Sequence, residues 1–220
     1  MKHLFLTLFL FFISFAMIIA QENQYETAMQ NNIQILDTAE SENVFKTLAN
    51  NFERIAFAEK DKWLPHYYVA FSKINQAIYT NDISQVDILI NKADDFIKKA
   101  EQLSSDNSEI YVLKALAYSS RIRVDFMVRG PQYVTKSNSY LRKASELDRN
   151  NPRAYYLLGQ NVYNTPVDFG GGAKSARKLF DVAAQLFKNN TSTEKTIYPH
   201  WGRESLEEIL LEYTETYNED

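Results

Sequence analysis

The chain has 220 residues, no cysteine, and 24 basic against 28 acidic side chains, a formal net charge of −4. That balance offers no basic stripe for nucleic acid, and without thiols there are no disulfides, no cysteine nucleophile and no Cys/His zinc site. Burial of apolar surface must therefore stabilise one domain or one repeat array.

Residues 1–20, MKHLFLTLFLFFISFAMIIA, combine a basic start at Lys2, an apolar run and a small residue, Ala20, just before the polar shift at Gln21. This is the pattern of a secretory signal peptide. Left uncleaved, the run approaches the length that spans a bilayer, and membrane association is expected by that route only. No cysteine follows the run, which excludes a lipid-modified start. Without these residues the balance is 23 basic against 28 acidic groups, net −5.

From residue 21 onward Gly and Pro are scarce, and apolar residues recur at steps of three and four, as in Val86, Leu89, Ile90, Ala93, Ile97 and Ala100. That period predicts an all-α chain. Polar clusters at Thr80–Asp82, Ser104–Ser108, Asn150–Pro152 and Asn189–Thr193 supply side chains that accept the free N–H groups of a helix start. Pro152 suits a first helical position. The helices are expected in pairs over about 24–60, 63–103, 108–148 and 152–188, with a capping helix over 203–217. In that last helix Glu204, Glu207, Glu208 and Glu212 form a solvated face opposite Leu206, Ile209, Leu210 and Tyr213, and Trp201 is expected beneath it.

A small-x3-apolar-x2-Ala pattern recurs late in each pair: Ala93, Ile97, Ala100; Ser137, Leu141, Ala144; Ala176, Phe180, Ala183. Ala49, Phe52 and Ala56 are a weaker copy. Small residues are needed where two helices approach closely. With Tyr155 and Leu158-Gly159 ahead of Ala176, Phe180 and Ala183, the chain resembles the tetratricopeptide-repeat family over about residues 40–188. The resemblance implies a right-handed α-α superhelix of three to four helix pairs. The period of 39 to 44 residues exceeds the family's, and the excess falls in two intra-pair turns, RIRVDFMVRGPQYV and NTPVDFGGG.

The second turn, Pro166–Gly172, holds three of the chain's six glycines. A phosphate loop needs a preceding strand and a Gly-Lys-Ser/Thr ending. Here Ala173 separates Gly172 from Lys174, and a helix precedes. The turn is read instead as a reversal that uses glycine's access to positive φ. This turn and Asn151-Pro152-Arg153-Ala154 also resemble the periplasmic repeat component that accompanies some TRAP-type transporters, which implies a periplasmic location and a small-molecule ligand.

His66 and His200 could meet at a mixed metal site, but each sits beside a proline and reads as a packing residue. Neighbouring Asp94 and Asp95 point apart on a helix. No catalytic residue, cofactor or metal is assigned, and the chain is expected to be non-enzymatic. The family's groove-lining positions, carried onto this sequence, are Tyr68 with Asn75, Tyr111 with Tyr118, and Tyr156 with Tyr163, flanked by Ser72, Arg153 and Gln160. A row of tyrosines there would grip a protein or peptide partner, or a flat ligand. The same tyrosines could instead be interior residues bonded through their hydroxyls. The two functions left open are an exported scaffold for a protein or peptide partner and a transport accessory holding a small molecule.

Overall fold

The computed structural model describes residues 21–189 and 197–217, with side chains as far as residue 212. The predicted signal segment, the cluster beyond Asn189 and the side chain of Tyr213 lie outside the described residues. Helix α1 covers residues 21–36. It is followed by α2 (Glu42–Ala58), α3 (Trp63–Tyr79), α4 (Ile83–Leu103), α5 (Ser108–Arg121), α6 (Phe126–Leu147), α7 (Pro152–Tyr163), α8 (Ala173–Asn189) and α9 (Arg203–Tyr217). Among the described residues there are no strands. Helices pack mainly on their chain neighbours, as antiparallel pairs stacked into an α-α superhelix.

The starts are fixed where the polar clusters predict. Asp82, Asn107 and Asn151 each accept a hydrogen bond from the backbone N–H two residues on, at 3.0 Å, and Pro152 opens α7. All four small-residue packing triads are fully or almost fully buried: Ala49, Phe52 and Ala56; Ala93, Ile97 and Ala100; Ser137, Leu141 and Ala144; Ala176, Phe180 and Ala183. Phe180 meets Tyr156, Gly159 and Tyr163 of α7, and Ser137 bonds Ser119 of α5 and Asn161 of α7. The closest approach is at Gly159, where a Cβ would lie 2.5 Å from the Phe180 ring. Only a hydrogen fits there, which is why the Leu-Gly pair occurs at this point.

Two apolar clusters result. One is built on α1 to α5 around Phe52, Tyr67, Ile74 and Ile90, and the other on α5 to α9 around Leu141, Tyr156, Phe180 and Leu206. Leu116 and Trp201 touch both, so the core is continuous through α5 and the residues before α9.

The two long turns differ from expectation in opposite ways. In the first, the turn proper ends after a single 3-10 turn, Ile122–Val124, and the rest of RIRVDFMVRGPQYV is helical. Asp125 caps the start by accepting from Val128 N at 3.0 Å, and Arg129 clamps it to α4 through two 2.8 Å bonds to Asp87. Pro131 is tolerated inside α6 because the carbonyl it leaves without a donor belongs to Met127, which stands in solvent at 81% exposure. The second turn is the reversal that the glycines predict. Gly170 and Gly172 have φ of 81° and 88°, and a Cβ on Gly171 would collide with the Thr165 carbonyl. The N–H groups of Gly170, Gly171 and Gly172 bond to the carbonyls of Val167, Pro166 and Val162. None of the three is left to cradle an anion.

Gly159→Ala forces a methyl against Phe180, and overpacking of this kind destabilises by about 1–3 kcal/mol. Urea unfolding should show a lower midpoint at an unchanged slope; an unaltered midpoint would mean that α7 and α8 do not meet this closely.

Candidate functional site

The helix starts set the register of the repeats. The N-cap residues of α3, α5 and α7 are Lys62, Asn107 and Asn151. Counted from its own cap, Tyr68 is the sixth residue, Tyr111 the fourth and Tyr156 the fifth. At about 100° per residue the three tyrosines point in different directions. The single row expected from their 43- and 45-residue spacing therefore does not form. Equal spacing in sequence conceals small differences in where each helix begins.

Tyr68 and Tyr156 are interior, at 1% and 4% exposure. The Tyr68 hydroxyl donates to the Ile197 carbonyl at 3.0 Å, and the Tyr156 hydroxyl accepts from Gln160 Nε2 at 2.7 Å. Burial raises both phenol pKa values, that of Tyr156 to about 12. Both remain protonated at neutral pH. Ser72 is fully buried with no partner for its hydroxyl among the described residues, and Asn75 Nδ2 donates to the Phe71 carbonyl at 2.9 Å. Tyr163 is exposed at the end of α7, its ring 6.2 Å from Phe180.

Arg153 is the centre of a buried polar spine. Its Nε and Nη2 donate to Glu109 at 2.8 and 2.6 Å, and Asn151 Nδ2 donates to the same carboxylate at 2.7 Å. The Tyr67 hydroxyl faces Glu109 at 3.4 Å and accepts from Trp201 Nε1 at 2.8 Å. Burial works against the charge on Arg153, but Glu109 more than restores it and the pKa is raised. The spine thus ties α3, α5 and α7 to residues 197–202.

Those residues cover part of the face on which a partner is expected from the sequence, touching Tyr68, Arg153 and Tyr156. Trp201 stacks on Phe71 at 4.9 Å, Tyr198 meets Trp63 at 6.3 Å, and His200 Nε2 lies 3.0 Å from Asp37. The expected place of Trp201 is under α9. It packs against the cluster that holds Leu206 of α9 and also reaches across to α3, where the N–H of its indole finds an acceptor at Tyr67. His200 and His66 have separate neighbours: His66 is buried against Phe96, and burial lowers its pKa. Among the described residues no three His, Asp or Glu side chains converge in a metal-holding group.

Tyr111 and Tyr118 behave differently. Both are partly exposed on α5, seven residues apart, in the groove between α4 and α6. Tyr140 and Tyr133 of α6, which the sequence pattern does not single out, join them. Ring centroids are 6.3 Å apart for Tyr111–Tyr140, 5.6 Å for Tyr118–Tyr140 and 5.7 Å for Tyr118–Tyr133. The seven-residue spacing of Tyr133 and Tyr140 is the available signal, hidden because the stretch around Tyr133 reads as a turn. Lys114 Nζ stands 4.7 Å from the Tyr111 ring centre, and Lys136 Nζ 5.3 Å from that of Tyr140. Burial and then Tyr118 raise the Tyr140 pKa, so its phenol is a neutral donor. The groove presents aromatic surface, hydroxyls and two ammonium groups, one of them paired with Glu101, a combination suited to a flat ligand carrying anionic groups.

The fold and this site describe an α-helical repeat protein with an aromatic, cation-flanked groove. No family model matches the chain, and no curated protein matches it. Among solved structures it is similar to the HusA haemophore from Porphyromonas gingivalis, at 32% identity over 88% of this chain and 94% of that one, with a TM-score of 0.78. The chain belongs to the family of that haemophore. A second similar structure, the MamA RS-1 ArsTM double mutant, shares 15% identity over 77% of this chain and 98% of its own, with a TM-score of 0.32, and nothing rests on it.

Two outcomes test the spine and the segment after it. Glu109→Ala leaves Arg153 buried without its partner and should destabilise by about 3–5 kcal/mol in chemical unfolding. The hydrogen bond that His200 Nε2 donates to the Asp37 carboxylate raises the His200 pKa. A raised folded-state pKa gives stability that is complete below the unfolded value, about 6.5, and lost as pH rises through the folded one. The thermal midpoint of the wild-type protein should therefore exceed that of His200→Gln at about pH 5.5 and converge with it at about pH 8, by less than about 1 kcal/mol because Asp37 is half in solvent. An equal gap at both pH values would exclude the ion pair as its cause.

Proposed function

We propose that this protein is an exported, non-enzymatic carrier of a haem or a closely related tetrapyrrole. The observation that carries the reading is the likeness to a haemophore, which extends over 94% of that protein's length rather than over a shared module. Three features of the chain support it. Residues 1–20 have the composition of an export signal. Among the described residues no helix is long and apolar enough to cross a membrane. Four partly exposed tyrosines, Tyr111, Tyr118, Tyr133 and Tyr140, are gathered in one groove, beside lysines able to meet carboxylates.

Of the two functions left open by the sequence, small-molecule binding is favoured over peptide capture, because residues 197–202 already take the hydroxyls of Tyr67 and Tyr68 on the face a peptide would use. The residues behind the resemblance to TRAP-associated proteins have structural roles: Asn151 caps α7 and bonds Glu109, and Pro166–Gly172 form a turn. A periplasmic site of action is the corresponding reading of location.

Titration of the purified protein with haemin, followed at the Soret band, should give saturable binding. Ligand at 100 times its dissociation constant should also stabilise the fold by about 2.7 kcal/mol, through mass action. A linear, unsaturated Soret response with no rise in melting temperature would overturn the proposal.

A further inference from the structure

The groove between α4 and α6 differs from its neighbours in a way that packing does not require. The positions four and eleven residues past the caps are Tyr111 and Tyr118 in α5. Their counterparts are His66 and Lys73 in α3, and Tyr155 and Val162 in α7. On the second helices, the positions four before and three after the small residue of each triad are Tyr133 and Tyr140 in α6, against Leu89 and Phe96 in α4. A stack of equivalent helix pairs asks for similar shapes at equivalent points. Only this groove fills all four points with tyrosine.

The hydroxyls reinforce the distinction. Interior Tyr67, Tyr68 and Tyr156 all have protein partners for their oxygens. Tyr111, Tyr118, Tyr133 and Tyr140 have none among the described residues, and all four are partly exposed. Tyrosine placed for packing alone could be phenylalanine at such points. Polar tips kept at an accessible surface are free to hydrogen-bond a ligand.

The cations complete the pattern. Arg121 and Arg129 also lie over rings of the cluster but are held by carboxylates: Arg121 by Asp94 at 2.9 Å, Arg129 by Asp87 at 2.8 Å. Lys136 is exposed and has no carboxylate partner among the described residues. Lys114 is paired with Glu101 and stands between the Tyr111 and Tyr140 rings, 4.7 and 5.7 Å from their centres. A flexible lysine can swing from a ring face to an incoming carboxylate. Two such ammonium groups flank Tyr140, one from each helix.

We infer that the groove between α4 and α6 is the tetrapyrrole seat, with the macrocycle lying on Tyr111, Tyr118, Tyr133 and Tyr140 and its two carboxylates taken by Lys114 and Lys136. This rests on the carrier reading above and adds the place and the recognition chemistry. It also separates the seat from the inner-face residues Tyr67, Tyr68 and Arg153, against which residues 197–202 lie.

The test compares haemin with its dimethyl ester on three proteins: wild type, Tyr118→Ala/Tyr140→Ala and Lys114→Gln/Lys136→Gln. Loss of charge-assisted bonds to the carboxylates should weaken haemin binding by roughly tenfold or more in the lysine pair, while the ester binds wild type and the lysine pair alike. The tyrosine pair should lose both ligands. If wild type binds haemin and the lysine pair binds it within twofold of wild type, the seat is elsewhere and this inference falls while the carrier function stands. The seat is likewise elsewhere if a tyrosine pair with a native circular-dichroism spectrum keeps its affinity. If the tyrosine pair does not fold, the surface lysines decide alone. Failure of wild type to bind haemin at all overturns both readings.

Discussion

Two helices can approach closely only where neither carries a bulky side chain, and this chain meets that constraint once per helix pair. Ala100, Ala144 and Ala183 have no exposed surface, and each ends a triad whose middle member, Ile97, Leu141 or Phe180, fills the space beside it. From this contact follow the pairing of α3 with α4, α5 with α6, and α7 with α8, and hence the direction in which every other side chain points. Gly159 carries the constraint to its limit, since even one methyl group would meet Phe180. The pairs stack without disulfides because each buries apolar surface against the next.

Stacking alone leaves the inner face of such an array open. Here a polar spine closes it. Glu109, mostly buried beside Arg153, is a carboxylate that a charge partner and the Asn151 amide make tolerable there. The indole of Trp201 then docks on Phe71 and Tyr67, and Ile197 offers its carbonyl to Tyr68. Gly202, at φ of 99°, turns the chain from this face into α9. Residues 197–202 so act as an internal ligand for their own superhelix.

The all-helical fold, the helix starts and the small-residue contacts are legible in the sequence because each rests on local chemistry or on a short period. Asn107 and Asn151 announce caps, and Ala93, Ile97 and Ala100 announce a packed stripe. The site is legible only in part. Tyr111 and Tyr118 can be found from their seven-residue spacing, but repeat length groups Tyr68 and Tyr156 with them and says nothing of where each helix starts. One residue of offset rotates a side chain by about 100°, enough to turn a groove residue into a core residue. Tyr133 escapes notice because Gly130-Pro131 reads as a break. Proline is in fact allowed near a helix start when the carbonyl it strands can reach water, as Met127's can.

The partly covered inner face and the outer groove together bear on the ligand that the proposed function calls for. An extended peptide needs a long trough with hydrogen-bonding groups along it, and here Trp201 and the Ile197 carbonyl already take the hydroxyls of Tyr67 and Tyr68. The tyrosine groove is compact: four rings within one pair of helices, bounded by ion pairs from Arg121 and Arg129 to α4 that hold its walls in place. Rigid walls and rings presented without hydroxyl partners favour a flat molecule that stacks and is then fixed at its edges, because little side-chain freedom is left to lose on binding. The lysines supply the remaining adaptability, and only they must move. On that reading the repeat architecture serves as a frame for one altered pair, while the other pairs supply the stability that lets its groove stay open.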